Sequence, residues 1–301
     1  MNRAGPRCAV AWLAPARLAL AWLALAACGR TEPKSAPEPP PVPAARADAP
    51  TAPPAGDAPA APAAPDAATA PAPAPAVVPA EAKELITAVV DDWSATRATL
   101  RRWRRADAGA AWTSDGEPWP GVIGRGGAAW GTGLHGAGAP SGRAGPVKRE
   151  GDGKSPAGAF ALRGSYGYAK APPAGARLPY TALDERWKCV DDPASAHYDL
   201  ILDRTTVAAD WKSAEEMRRS DELYAWVVDV AHNPARAPGA GSCIFLHVWR
   251  GEDSATAGCT AMAEPRLAQL IATLDPSAVF VLLPRAEYEA LAAAWALPRT
   301  P

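Results

Sequence analysis

The sequence predicts a mainly β fold with short helices, of the α+β class, and three features predict it. Short apolar pieces broken by glycine and turn residues fill 112–158, such as Val122-Ile123-Gly124. Further runs of strand length lie at 159–162, 198–202, 225–230, 242–249 and 278–283. A helical period is clear in one place, where Leu267, Leu270, Ile271 and Leu274 recur at i, i+3, i+4 and i+7.

The ends of this predicted domain are less regular. Residues 84–93 suit a strand or the start of a helix, and their β-branched content favours a strand. Pro265 fits the first turn of the predicted helix, and 287–297 can form a second helix. We therefore expect one folded domain over 81–285, followed by a helical C-terminal tail over 286–301.

The segment before the domain has the composition of a disordered tether. Of the 50 residues from 31 to 80, 35 are Ala or Pro and none is aromatic. Such a chain buries too little apolar surface to offset its ordering entropy. The sequence predicts a disordered Ala/Pro-rich linker over 29–80.

Residues 1–28 have the features of an export signal. Basic Arg3, Arg7 and Arg17 precede an apolar run at 18–27, which is shorter than the ~20 residues of a membrane-spanning helix. The run ends in Leu25-Ala26-Ala27-Cys28, which resembles the lipobox of bacterial lipoproteins. The resemblance implies lipidation of Cys28, with the envelope as location and the outer membrane favoured because Gly29 follows. The alternative is ordinary secretion with cleavage after a small residue.

Charge and ligand spacing exclude several classes of function. The formal net charge is −1, which offers no overall field for nucleic acid. The four histidines lack a second ligand type at metal spacing, so no metal site is expected. The run Gly151–Ser155 is not a phosphate loop, because Lys148 stands where that motif needs glycine.

In an exported chain, Cys189, Cys243 and Cys259 imply one pair and one free thiol, or a less regular arrangement.

The segment 241–262 contains a candidate nucleophile. A strand over 242–249 places Cys243, Phe245, His247 and Trp249 on one face, and the loop at 250–257 can return Cys259 beside His247. An imidazole beside a thiol lowers the pKa of the thiol and favours a nucleophilic thiolate. The alternative is a structural cysteine on a loop and an ordinary core histidine.

Two motifs about 100 residues apart resemble one family. Ile244-Phe245-Leu246-His247 followed by Thr256-Ala257-Gly258-Cys259 resembles the signature of the L,D-transpeptidases, which are cell-wall enzymes. The basic, glycine-rich stretch from Val147 to Gly158, with Ser155-Pro156-Ala157-Gly158 at its end, resembles their second marker. The stretches 187–194 and 211–217 also look like a periplasmic branch, so the resemblance covers about 84–285. It implies a β-sandwich-like catalytic domain with a cradle for a peptide stem.

The resemblance also implies roles for individual residues. Cys259 would be the nucleophile and His247 its general base, with the carbonyl of Val248 orienting the imidazole. The amides of Gly258 and Cys259 would contribute to the oxyanion hole. Substrate would meet Trp249, Thr256 and Ala257. The chain departs from the family where Ala257 replaces a histidine and where the loop from His to Cys is short. In Thr260-Ala261 it also lacks the arginine that is common two places after the cysteine.

The function implied by the resemblance is acyl transfer on peptidoglycan stems without a cofactor or metal. Cys259 would attack the bond between a diamino acid and the terminal D-Ala of a tetrapeptide, and an amine would take the acyl group. Water as acceptor would make the site a hydrolase, and a non-catalytic peptidoglycan-binding lipoprotein is the alternative outside enzymes. This assignment leaves Cys189 and Cys243 as a disulfide pair, or as two buried thiols. A monomer held to a membrane by its lipid anchor is expected.

Overall fold

The computed structural model describes residues 77–299. The strands of this part of the chain are, in order, β1 (Glu84–Val90), β2 (Arg97–Arg104), β3 (Thr113–Ser114), β4 (Trp119–Val122), β5 (Ala128–Trp130), β6 (Thr132–Gly133), β7 (Gly136–Ala137), β8 (Ser155–Gly167), β9 (Tyr180–Ala182), β10 (Trp187–Cys189), β11 (Ile201–Asp203), β12 (Glu215–Glu216), β13 (Trp226–Val230), β14 (Phe245–Val248), β15 (Thr260–Met262) and β16 (Val279–Pro284). The helices are α1 (Glu264–Thr273) and α2 (Arg285–Leu291), with a 3₁₀ turn at Glu222–Tyr224. The predicted mainly β fold with short helices is confirmed.

The main sheet closes on itself as a barrel. Its strands follow the order β1-β16-β8-β13-β14-β15-β4-β2, and pairing of β2 with β1 completes the ring. The pairs β1–β16 and β14–β15 are parallel, and the other pairs around the ring are antiparallel. A smaller sheet, in the order β11-β10-β12, lies off the barrel path. Closure leaves the strands of the ring without a free edge.

Burial explains why the first strand could be read in two ways. All seven residues of β1 are buried, so both faces of the strand are covered, and the strand pairs with β2 on one side and β16 on the other. A strand covered on both faces is apolar throughout and loses the alternation that marks a half-exposed strand. The preference for a strand at 84–93 is confirmed over 84–90. In contrast, β2 was not predicted, since only Ala98 and Leu100 alternate with exposed neighbours before two arginines interrupt the pattern ahead of buried Trp103.

The helices and the chain ends complete the core. Helix α1 buries Leu267, Leu270 and Ile271, as its period predicts. Helix α2 ends at Leu291, short of the predicted 297, and the following turns bring buried Trp295 into the core. Val78 is buried and its amide donates to the Trp295 carbonyl at 3.4 Å. The packed domain therefore begins before residue 81, and its last turns belong to the same core.

The predicted strand over 242–249 is shorter than expected. Strand β14 begins at Phe245, because Cys243 adopts the left-handed conformation with φ 55°. An L-residue in that region cannot continue a strand. The face expected to hold Cys243 with Phe245, His247 and Trp249 is thus interrupted at its first member. Within residues 77–299, no helix combines the length and hydropathy needed to cross a bilayer.

Candidate active site around Cys259

Cys259 lies where the loop after β14 enters β15, and its side chain is buried inside the domain. Its Sγ accepts a hydrogen bond from the Phe245 amide at 3.3 Å. The thiol in turn faces the Cys243 carbonyl at 3.4 Å, which is its acceptor. Of the cysteines between residues 77 and 299, this is the one outside a disulfide.

His247 sits inside β14 and is oriented by the backbone. Its Nδ1 lies 2.7 Å from the Val248 carbonyl oxygen, so Nδ1–H donates and Nε2 keeps a free lone pair. The ring of Tyr224 meets the imidazole edge to face at a centroid distance of 5.3 Å. This arrangement holds the tautomer that a general base requires.

Cys259 and His247 line the same cavity of about 200 Å³. Thr256, Ala257 and half-buried Trp249 also line it. The predicted base, nucleophile and substrate contacts are thus brought to one cavity. Within the described residues, neither nitrogen of His247 is hydrogen-bonded to Cys259, whose thiol donates to Cys243 instead. In this structure the S–H bond therefore points at a backbone carbonyl rather than at the imidazole.

Burial makes both reactive groups neutral at rest. It raises the pKa of the Cys259 thiol well above its usual value, and the charge of Glu215 raises it further. Burial lowers the pKa of His247 to about 4. The expectation that the imidazole lowers the thiol pKa toward neutrality is therefore wrong for this closed site. The thiol and the imidazole are therefore both uncharged near neutral pH.

The loop before Cys259 is held by Thr256. The Gly258 amide donates to Thr256 Oγ1 at 3.1 Å, and that hydroxyl donates to the Cys259 carbonyl at 2.6 Å. The Gly258 amide, predicted to help bind an oxyanion, already has an acceptor in this structure. A Cβ at Gly258 would lie 3.1 Å from the Lys154 carbonyl oxygen, so the missing side chain lets the two backbones approach without a small shift.

The upstream motif contacts the backbone of Cys259 directly. Ser155, at the start of β8, is fully buried. Its hydroxyl donates to the Cys259 carbonyl at 3.0 Å and accepts from the Gly124 amide at 2.9 Å. The two sequence motifs, 104 residues apart at these positions, therefore meet through one hydrogen bond.

A second cavity of about 180 Å³ opens on the other side of Cys259. Charged side chains of both signs line it: Arg125, Lys148, Glu150, Asp191 and Glu215. Cys243 lines it too and forms a disulfide with Cys189, the pairing that the family resemblance implied. Ligand atoms of Cys189, Cys243 and Asp199 lie within 4.8 Å of one another, but the disulfide leaves no thiolate to bind a metal.

Sequence reasoning missed the residues that surround the pair. Tyr224 is buried beside His247, and its hydroxyl donates to Glu215 at 2.7 Å. The guanidinium of Arg219 lies 5.2 Å from the centre of the Tyr224 ring. Asp199 accepts from the Cys243 amide at 2.9 Å. No sequence motif marks these residues, because they come from segments of the chain that are separate from the one holding His247 and Cys259.

The proposed lipid site, Cys28, lies outside the described residues, as does most of the predicted tether. No protein-family model, curated protein or solved structure matches this chain.

Proposed function

We propose that the chain is a cysteine acyltransferase of the bacterial envelope, an L,D-transpeptidase that acts on tetrapeptide stems of peptidoglycan. The observation that carries the proposal is the cavity shared by Cys259 and His247, with the imidazole oriented by Val248. The contact of Ser155 with Cys259 supports it, because both motifs that resemble the family then serve one nucleophile.

The reaction would begin with the neutral pair. The Cys259 thiol turns to Nε2 of His247, gives up its proton and forms the bond to the carbonyl carbon of the diamino acid. The Phe245 amide, already 3.3 Å from the sulfur, stabilises the developing negative charge on it. The amide of Cys259 faces the oxyanion in this scheme, because that of Gly258 is bound to Thr256.

Collapse of the tetrahedral intermediate breaks the bond to D-Ala. The proton held on Nε2 goes to the leaving amine, and a thioester on Cys259 remains. A second amine then attacks the thioester while His247 takes its proton, which restores the thiol and forms the new amide. With water as nucleophile, the same steps release a tripeptide. No cofactor or metal enters this proposal.

The envelope setting follows from the sequence features. Lipidation of Cys28 would hold the protein at a membrane, and the Ala/Pro-rich linker would let the domain reach the wall. The disulfide between Cys189 and Cys243 is compatible with an oxidising compartment. The proposed partners are therefore the peptide stems and the membrane that holds the anchor, with the protein acting as a monomer.

The test uses the full chain and its Cys259→Ala variant with purified tetrapeptide muropeptides, with and without an added D-amino acid. Mass spectrometry should find loss of D-Ala with D-amino acid exchange or dimers, and none with the variant. Tripeptide alone would make the enzyme a carboxypeptidase. Unchanged substrate, together with sedimentation of both proteins with purified wall, would replace the enzyme by a binding lipoprotein.

A further inference from the structure

The carbonyl that receives the Cys259 thiol belongs to a residue in an unfavourable conformation. Cys243 has φ 55°, which an L-residue other than Asn, Asp or Gly rarely adopts. If Cys243 relaxed to the extended conformation predicted from the sequence, its carbonyl would turn away from Cys259. Something must therefore hold this residue, and the structure offers two attachments.

The first attachment is the disulfide, and the second is the carboxylate of Asp199. The Cys243 amide donates to Asp199 Oδ1 at 2.9 Å. Asp199 is itself left-handed, with φ 59°, and its amide donates to the Val190 carbonyl at 2.8 Å. Val190 follows Cys189, the disulfide partner of Cys243. These contacts form a closed circuit from Cys189 through Asp199 to Cys243 and back across the disulfide.

We propose that Asp199 is a positioning residue that holds Cys243 in the left-handed conformation and thereby holds the Cys259 sulfur between the two cavities. The inference rests on the proposed function in taking Cys259 as the nucleophile. It assigns Asp199 no contact with substrate. The carboxylate acts through Cys243, whose carbonyl lies 3.4 Å from Sγ.

The Asp199 carboxylate is buried and makes one close hydrogen bond, which it accepts from the Cys243 amide. Its side chain is 6% exposed, and Oδ2 has no hydrogen-bond donor within the described residues, the nearest cation being Arg163 at 3.8 Å. Burial raises the pKa of Asp199 to about 6, and the Cys243 amide, Arg163 and Arg236 lower it. The charges of Glu150 and of Asp229, which pairs with Arg163, face the same group.

The charge state then sets a pH dependence with a defined sign. The carboxylate form accepts the Cys243 amide most strongly, and it is lost as the pH falls through about 6. Positioning of Cys259 should weaken over the same range. Glu215, whose pKa burial raises, and Asp229, whose pKa burial raises to about 7, can add steps of their own, so the contribution of Asp199 is the part that Asp199→Asn removes.

The experiment compares Asp199→Ala and Asp199→Asn with Asp229→Asn, a matched buried carboxylate that contacts Arg163 rather than Cys243. Two rates are read on the Cys259 peptide of the full chain by mass spectrometry. Acylation by a carbapenem, which needs aligned geometry, should fall at least about 10-fold in Asp199→Ala. Alkylation by iodoacetamide, which needs only access, should rise about threefold as the thiol leaves its carbonyl.

Asp199→Asn keeps an oxygen acceptor, so it should fall between wild type and Asp199→Ala and lack the step in acylation rate near pH 6. Asp229→Asn should keep both rates within twofold at pH 8, well above the pKa of about 6 of Asp199, where Asp199 carries its charge with or without Asp229. Thermal unfolding and an intact disulfide establish that each variant is folded. Folded Asp199→Ala and Asp199→Asn with wild-type rates and pH profiles would overturn the inference. If wild type resists carbapenem while Asp199→Ala still speeds alkylation, the proposed function fails and the positioning role stands.

Discussion

The two cavities that meet at Cys259 are built in different ways. Most residues that line the cavity with His247 come from one stretch of chain, which runs from His247 through Thr256 to Cys259. The charged cavity draws on separate segments at 125, 148–151, 191, 215 and 242–244. Glu215, Ala257 and Cys259 line both. The first holds the groups proposed to move protons, whereas the second adjoins the disulfide and the contacts proposed to set where the sulfur lies.

This difference indicates which substitutions should abolish the proposed reaction and which should only slow it by moving or destabilising the groups involved. A change on the His247 side removes a group that takes part in proton transfer. A change on the charged side leaves those groups in place and shifts their position, stability or pKa. Substitutions on the His247 side are therefore expected to have the larger effects.

The largest effect is expected from His247→Gln. Loss of the general base should lower the rate of carbapenem acylation of Cys259 by about 10²- to 10⁴-fold, the usual contribution of a positioned base. His232→Gln is the matched control, because His232 is also buried and burial lowers its pKa to about 4 as well. Stopped-flow measurement of acylation should find the control within a few-fold of wild type. Equal losses in both variants would contradict the role of His247.

The next effect concerns the disulfide on the charged side. Its two cysteines are 54 residues apart, and closing such a loop restricts the unfolded chain by about 4 kcal/mol. The double variant Cys189→Ser with Cys243→Ser should lose about 2–4 kcal/mol in the free energy of unfolding, measured with urea. Cys259 remains reactive to iodoacetamide in that variant, and a reaction faster than in wild type is expected because the Cys243 anchor is weakened. Unchanged stability would contradict this account of the charged cavity.

Ser155→Ala should have a smaller effect that touches both cavities. The Ser155 hydroxyl accepts from the Gly124 amide and donates to the Cys259 carbonyl. Its removal takes one hydrogen bond from each of these two backbone groups. We expect a loss of about 1–3 kcal/mol in the free energy of unfolding, with slower acylation because the Cys259 loop is released. Ser165→Ala is the control, since Ser165 lies in the same strand, is buried, and donates to the Pro179 carbonyl rather than to that of Cys259.

A result in which Ser165→Ala slows acylation as much as Ser155→Ala would show that only stability is being measured. The comparison is made at a temperature where both variants are fully folded, as read from near-UV circular dichroism.

The contrast between the cavities also explains how much could be predicted from the sequence. The mainly β class and helix α1 followed from local periods, because Leu267, Leu270 and Ile271 are buried as a stripe. Strand β2 escaped prediction because four of its eight residues are arginine, and its Arg102 pairs with buried Glu84 at 2.8 Å. Closure of the barrel through β1 and β2 is a long-range property that no local pattern encodes.

The same distinction applies to the site. His247, Thr256 and Cys259 could be singled out because they are close in sequence and their types suggest thiol chemistry. Asp199 and Tyr224 could not, since each reaches the site from another segment and each is an ordinary core or loop residue by type. The neutral state of the thiol also escaped prediction, because it depends on complete burial rather than on neighbours in sequence.

The smallest effect is expected from Glu215→Gln, at the junction of the two cavities. The charge of Glu215 raises the pKa of the Cys259 thiol, so its removal should lower that pKa and speed alkylation by iodoacetamide at pH 8 on the order of threefold. As the pH falls and Glu215 takes up a proton, wild type and variant should converge, because the charge that separates them is lost. Glu216→Gln is the matched control: Glu216 is exposed, adjacent in sequence, and paired with Lys188. If the two variants gave the same alkylation rate at pH 8, Glu215 would not act on the thiol through its charge, and the charged cavity would influence Cys259 through its anchors alone.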